Sequence, residues 1–532
     1  MNVLRKDWTK FSCVAIIIII VILYGCFKLR DVISGGGTIA VLCGVTLVSG
    51  TGFFLLLDYL LIFRSPTIWK IYLVMGVYFG VMFVLLIPTG CTPDEIEHFD
   101  STYELSNELE GRNGIEFYRI MQKRESDVGY QEHLISADTY EAYYQKFTET
   151  ASDDWVWVEN KGSYHSIVYL PGTIGIGIAK LLHLNYGWMT VVGTLCQMFF
   201  FLTVISYAIR ILPIGKKTLL IIALLPMTLQ QSSSFSYDNM VISMSILVTS
   251  ISLRWVTGTK DSLRQRVWQG IFFVVAAIML LQVKNGLYAL IALFPLGFLL
   301  KKIFGNKKNR HIGIIIALCG LFLIIGAFVF TDFKEKIAQF ITQYHYIEKR
   351  DVWSGSISYY ATNPALTLQM FLETLRTSVI AYLSSMLGGL LGWLQIGITG
   401  KVIWPMALLL LLSVIRTKEE EKEAVYLKAQ QRIYILTISV IVCLLCFVAM
   451  LLFWTPIFSN VIEGVQGRYF LPVLLGALMA VGYWRRPVWP GVVKEYFFAL
   501  AMGILDFMVL IFLLEEAAAF ERVASKMMLC YK

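Results

Sequence analysis

Long apolar runs recur along this chain, and they constrain what it can fold into more than any other feature. Runs at 11–29, 38–63, 68–88, 186–209, 218–235, 240–256, 267–283, 287–303, 314–330, 402–415, 433–454, 469–484 and 496–514 each approach the length of a membrane-crossing helix. They lack the sustained alternation of barrel strands. With 57% hydrophobic and 15% charged residues and a mean hydropathy of +0.67, a soluble fold could not hide the apolar surface. The chain therefore reads as an all-α polytopic membrane protein with about 13 transmembrane helices. The first run follows Arg5, Lys6 and Lys10. It is longer than a signal-peptide core and no small-residue cleavage site follows, so it reads as an uncleaved anchor.

Charge sets the orientation. The net charge is +8, but the Lys and Arg residues lie in short loops between apolar runs, so they speak for membrane topology and against a nucleic-acid partner. The basic N-terminus and the Arg64/Lys70 turn are assigned to the cytoplasm. The clusters around Arg210, Arg254, Lys301, Arg416 and Arg485 join them only if two further apolar stretches, 166–184 and 371–400, do not cross. The first carries Pro171, Gly172, Gly175 and Gly177. The second carries Glu373, Arg376 and a Gly-Gly-x-x-Gly stretch. Both suit helices lying in the interface. Segment 91–165 then becomes a large first outer loop. Its aromatics predict an ordered subdomain and serve as an interfacial belt or as a platform for sugar rings. Residues 1–67 read as two added N-terminal helices, 68–514 as the main membrane domain and 515–532 as a tail. Cys443 and Cys446 form a C-x-x-C inside an apolar run, where they only pack.

Against this apolar background a few charges stand out on the outer side. Thr92-Pro93-Asp94-Glu95-Ile96-Glu97-His98 follows a span directly. Thr92 fits an N-cap, Pro93 the first helical position, and Glu95 the reach-back member of a capping box. Capping accounts for Glu95 but not for Asp94. Asp94, Glu97 and His98 share one helical face. An ionised Asp94 can take a proton from a hydroxyl or bind a divalent cation. Asp238, at the turn Ser236-Tyr237-Asp238, is a second acid at the same level, or a simple helix cap. Lys284 is a lone cation between apolar runs, costly unless paired or snorkelling. Arg468 opens a span from the outside against the charge rule. Its planar fork suits phosphate oxygens, and a bond to Glu463 is the plainer alternative.

Taken together, Pro93-Asp94-Glu95-x-x-His98-Phe99, Ser236-Tyr237-Asp238, Lys284 with Tyr288, Gly392-Trp393-Leu394 and Gln466-Gly467-Arg468-Tyr469-x-x-Pro472 resemble a bacterial family of large membrane proteins. That family was long named only as a domain of unknown function, and it resembles the GT-C glycosyltransferase superfamily. The similarity covers about 68–514. It implies a GT-C-like fold, a polyprenyl-phosphate-linked sugar as donor, and an outward-facing site in the bacterial plasma membrane. By the same resemblance Asp94, with Glu95 beside it, and Asp238 are catalytic acids. His98, Lys284, Tyr288, Arg468 and Tyr469 bind substrate. Asp94 and Asp238 are also the positions for a divalent cation, Mg2+ or Mn2+; no other cofactor is implied.

The expected function is an inverting glycosyltransferase that moves a sugar onto a cell-envelope glycan. The competing readings are a transporter or flippase of lipid-linked sugars, a glycan polymerase, and a silent scaffold. Transport sites favour broken helices at mid-membrane, whereas these charges cluster at one face.

Overall fold

The computed structural model describes residues 2–530 except 65, 113, 116–118, 129–132, 163–165, 259–260, 297–345, 350–351, 356, 417–426 and 483–494. The expected span 314–330, the last part of 287–303 (297–303) and the basic clusters near Lys301 and Arg485 lie outside the described residues.

The helices are α1 (Asn2–Gly35), α2 (Gly37–Tyr59), α3 (Ile68–Leu86), α4 (Glu95–Leu109), α5 (Ala137–Gln145), α6 (Leu170–Leu181), α7 (Tyr186–Ile211), α8 (Lys216–Leu224) and α9 (Pro226–Ser232). They continue with α10 (Asp238–Thr257), α11 (Leu263–Gln282), α12 (Ile357–Thr362), α13 (Pro364–Leu387), α14 (Gly400–Ser413), α15 (Ala429–Phe453), α16 (Leu471–Gly482) and α17 (Glu495–Cys530). The expected tail, 515–532, continues α17 as helix as far as Cys530.

Seven helices among the described residues are long and apolar enough to cross a membrane: Gly37–Arg64, Ile68–Leu86, Tyr186–Ile211, Asp238–Thr257, Leu263–Gln282, Ala429–Phe453 and Tyr496–Phe520. α10 is the most enclosed of them, with 78% of its apolar window buried, and α11 the least, with 17%. α10 packs against α7, α11 and α16.

The run 218–235 was expected to be one span. It is instead broken at Pro226, which removes a backbone donor and drives Leu225 to an extended ψ of 136°. α6, with 12 residues, is about 18 Å long, short of the roughly 30 Å hydrocarbon core. α13 carries an exposed Glu373–Arg376 ion pair of 2.5 Å.

Polar contacts tie the helix ends together in two sets. At one end Arg254 donates to Ile211 O (2.7 Å), Lys217 to Ile415 O (2.7 Å) and Arg432 to Ala480 O (2.5 Å). The described basic residues of these loops thus share one end of the bundle, as the charge distribution predicts. At the opposite end the carbonyls of Leu86 and Leu85, where α3 finishes, accept from Tyr140 (2.7 Å) and Tyr144 (2.8 Å) of α5.

The loop over that opposite end is an ordered subdomain, but it is not all helix. Strands β1 (Ile120–Arg124) and β2 (Trp155–Glu159) pair antiparallel, with Ile120 opposite Glu159 and Arg124 opposite Trp155. Trp155-Val156-Trp157-Val158 is a run of aromatic and β-branched residues, the types that favour a strand. Two smaller antiparallel pairs follow: β3 (Tyr346–Lys349) with β4 (Val352–Gly355), and β5 (Leu390–Leu391) with β6 (Ile396–Gly397).

Buried polar contacts fasten the subdomain to the bundle. Arg124 makes a two-point contact with Asp127 (2.7 and 3.1 Å) and also donates to Leu184 O (2.8 Å). Lys180 on α6 donates to Asn107 Oδ1 (2.7 Å) and Ser106 Oγ (3.1 Å) on α4. Tyr103, Tyr140 and Tyr143 are buried, so these aromatics pack the subdomain; Trp157 stays half exposed.

Candidate functional site

The site grows from the α3–α4 connection. Helix α4 starts at Glu95, not at Pro93, and its flanking residue is Asp94, not Thr92. Asp94 takes the left-handed conformation (φ 63°, ψ 8°), uncommon for a residue with a side chain. The expected reach-back of Glu95 is present: Oε2 accepts from Thr92 N (3.2 Å) and also from Gly90 N (2.8 Å). Its Oε1 accepts from Phe235 N (3.1 Å), just before α10. Burial pushes the Glu95 carboxyl up to about 7 against these three N–H donors. Sequence reasoning placed Glu95 among the catalytic acids. Here it is enclosed, and both its oxygens are committed to backbone, so it brackets two connections together.

Asp94 remains the accessible acid, with its side chain 42% exposed. Arg468 Nη2 lies 3.3 Å from Asp94 Oδ2, and Arg468 Nε lies 3.3 Å from Asp238 Oδ2. Lys284 Nζ lies 2.5 Å from Asp238 Oδ1. Four residues expected at the site therefore form one chain of charges, Asp94–Arg468–Asp238–Lys284, drawn from four separate segments. Asp238 and Arg468 are almost fully buried. Nη1 of Arg468 is shut from solvent and makes no hydrogen bond, so one face of the fork is unused. Arg468 turns to the two aspartates, not to Glu463, the plainer partner considered from sequence.

Local geometry explains how each cation reaches its place. Lys284 opens the 3-10 segment Lys284–Leu293 just past the end of α11, with φ 47°, followed by Asn285 (φ 54°) and Gly286 (φ 72°). A left-handed non-glycine residue costs on the order of 1–3 kcal/mol, and such strain gathers at functional sites. Asp94, Lys284 and Asn285 are three instances within these segments. Arg468 stands in the 3-10 turn Gly467–Phe470. Gly467 presses against the end of α13: a Cβ there would lie 2.3 Å from Met386 N and 2.3 Å from Tyr382 O. Only glycine permits that approach.

Aromatic rings line the cations. Lys284 Nζ sits 4.3 Å from the Tyr469 ring centroid and 5.5 Å from that of Tyr237. Tyr288, expected to bind substrate, is fully buried and donates to Tyr469 O (2.8 Å), so it braces the Tyr469 backbone instead. His98 is buried, with Nδ1 2.8 Å from Tyr169 Oη and its ring edge-on to Tyr237 at 4.5 Å. Burial holds the imidazole down to about 4 in spite of Asp238 and Asp94 nearby, so His98 is neutral at pH 7. Sequence reasoning gave Tyr169 and Tyr237 no role. Tyr237 was within reach, since it precedes Asp238 in the same turn.

A divalent cation fits these residues poorly. Arg468 stands between the two aspartates, Lys284 takes the other oxygen of Asp238, and no group of three His, Cys, Asp or Glu converges among the described residues. Hard divalent cations need several oxygen ligands.

The same four residues fall within one region of the chain that a family model recognises. No curated protein and no solved structure matches the chain. The model described as "Predicted membrane protein (DUF2142)" matches residues 77–477, well over half of the 532-residue chain, and the chain belongs to that family.

Proposed function

We propose that this protein is a GT-C-type membrane glycosyltransferase. It takes a sugar from a polyprenyl-phosphate donor to a hydroxyl of a cell-envelope glycan, on the outer face of a bacterial plasma membrane. The observation that carries the reading is the convergence of Lys284 and Arg468 beside the exposed acid Asp94. Two cations at one end of an apolar bundle, opposite the basic loops, suit a lipid-borne phosphate. The phosphate takes the unused face of Arg468 and competes with Asp94 for the guanidinium, which frees the acid. Asp94 then accepts the proton of the acceptor hydroxyl as its oxygen bonds to the anomeric carbon. The bond from that carbon to the phosphate oxygen breaks with its electron pair. The added charge on the departing polyprenyl phosphate rests on Arg468 and Lys284. Attack from the face opposite the leaving group inverts the anomeric centre.

One observation favours a second reading, a transporter of lipid-linked sugars. The α8–α9 break at Pro226 leads into a buried polar tract, Thr228, Gln230, Gln231, Ser232, Ser233 and Ser234, and broken helices are a feature of transport sites. The two part on products. A transferase in detergent, with purified polyprenyl-phosphate sugars and a glycan acceptor, releases free polyprenyl phosphate and makes a new glycosidic bond. A transporter only moves the intact donor across a sealed bilayer.

A further inference from the structure

The hairpin turn between β5 and β6 holds a polar side chain with nothing to bind. Both amide atoms of Gln395, Oε1 and Nε2, are shut from solvent and make no hydrogen bond. The turn itself is firmly held. Gly392 N donates to Gln230 Oε1 (2.9 Å) and Gly392 O accepts from Gln230 Nε2 (3.1 Å), a two-point clamp on α9. Trp393 Nε1 donates to Gly90 O (3.1 Å), and Gly90 is the residue whose N–H Glu95 holds beside Asp94. Gly392 (φ 62°) and Leu394 (φ 62°) both take the left-handed conformation. Gly392 also leaves the room the amide fills, since a Cβ there would lie 2.8 Å from Gln395 Oε1.

A buried amide without partners costs its full desolvation, and a hydrocarbon side chain of that size would avoid the cost. Here the amide stands on a strained turn, one hydrogen bond from the Gly90–Glu95 bracket. We infer that Gln395 is a specificity residue that reads a sugar hydroxyl at the site, an inference that rests on the glycosyltransferase reading. A primary amide offers both an acceptor and donors, which matches adjacent sugar hydroxyls. It carries no charge, so it offers a phosphate less than Arg468 and Lys284 do. A site built to bond a hydroxyl discriminates strongly against a ligand that lacks it. The hydroxyl belongs to the donor sugar or to the acceptor glycan.

The test compares wild type with Gln395→Met, which keeps length and removes the amide; Gln395→Leu serves if the first variant does not insert. Binding is measured for undecaprenyl phosphate alone and for undecaprenyl phosphate carrying glucose, galactose, mannose or N-acetylglucosamine. The KM for a glycan acceptor is measured alongside. A donor hydroxyl predicts at least tenfold weaker binding of the preferred sugar lipid with the bare lipid phosphate unchanged. An acceptor hydroxyl predicts at least a tenfold rise in acceptor KM with donor binding unchanged. In both cases thermal stability is retained, because no bond within the protein is lost. Unchanged sugar preference and unchanged acceptor KM overturn the inference while leaving the transferase reading intact. A wild-type protein that binds neither bare nor sugar-bearing lipid phosphate removes the reading beneath it.

Discussion

Replacing Lys284 by Met isolates the electrostatic argument from any assumption about function. The change removes the ammonium 2.5 Å from Asp238 and leaves a carboxylate whose side chain is 7% exposed with only Arg468, at 3.3 Å, to compensate. Breaking a buried pair by removing one partner costs about 3–5 kcal/mol, mainly because the other charge stays buried. Arg468 offsets part of that cost, so the lower end of the range is expected. The left-handed backbone at Lys284 (φ 47°) is equally strained with either side chain, so it cancels in the comparison. Asp238→Asn alone leaves Lys284, 21% exposed, free to turn toward water, but leaves the buried Arg468 with Asp94 as its one carboxylate at 3.3 Å, so it carries a cost of its own. The double variant should lose less than the sum of the two single losses, by roughly 0.5–3 kcal/mol, as coupled neighbours do. Thermal unfolding of the four proteins in one detergent reads the cycle. Additive losses, with no recovery in the double variant, would show that the pair is not coupled and refute the reasoning.

The other predictions concern separate parts of the site. His98, held down to about 4 from an unfolded value of 6.5, contributes stability that is present above pH 6.5 and lost as pH falls through about 4. At pH 5 the loss is about 2 kcal/mol, and His98→Asn should flatten that part of the stability–pH curve; an unchanged curve would contradict the assignment. Gly467→Ala forces a Cβ to within 2.3 Å of two backbone atoms of α13, so it should displace Arg468 and cost about 1–3 kcal/mol. Loss of undecaprenyl-phosphate binding in that variant checks the displacement. Donor binding and transfer should persist in excess EDTA, because Arg468 occupies the space between Asp94 and Asp238; inhibition reversed by added Mg2+ or Mn2+ would count against that packing.

Much of the frame was legible because hydropathy and charge report on the membrane directly. The apolar runs at 68–88, 186–209, 240–256, 267–283 and 433–454 each became a helix near its expected bounds. Each depends only on local composition. The break in 218–235 was legible too, at Pro226, but the apolar content of the run outweighed it. The partnership of Asp94 with Arg468 was not legible, since 374 residues separate them and no local pattern couples them. The same holds for Glu95, whose third donor comes from Phe235, 140 residues on. Sequence spacing marked Glu95 as chemistry-bearing; tertiary contacts committed it to backbone. Gln395 carried no sequence signal at all, because an unpaired amide shows only once its surroundings are in place.

Comparing two proteins reads whether Asp94 receives a proton during sugar transfer. Wild type and Asp94→Asn, purified in the same detergent, are given polyprenyl-phosphate sugars and a cell-envelope glycan acceptor, and the new glycosidic bond is quantified. Asp94 is 42% exposed and 3.3 Å from Arg468, so the substitution should leave folding nearly unchanged, and donor binding should be retained or tighten because Asp94 no longer competes for the guanidinium. The account predicts transfer by wild type and at least a hundredfold loss in Asp94→Asn with donor binding retained. Full transfer by Asp94→Asn would contradict it.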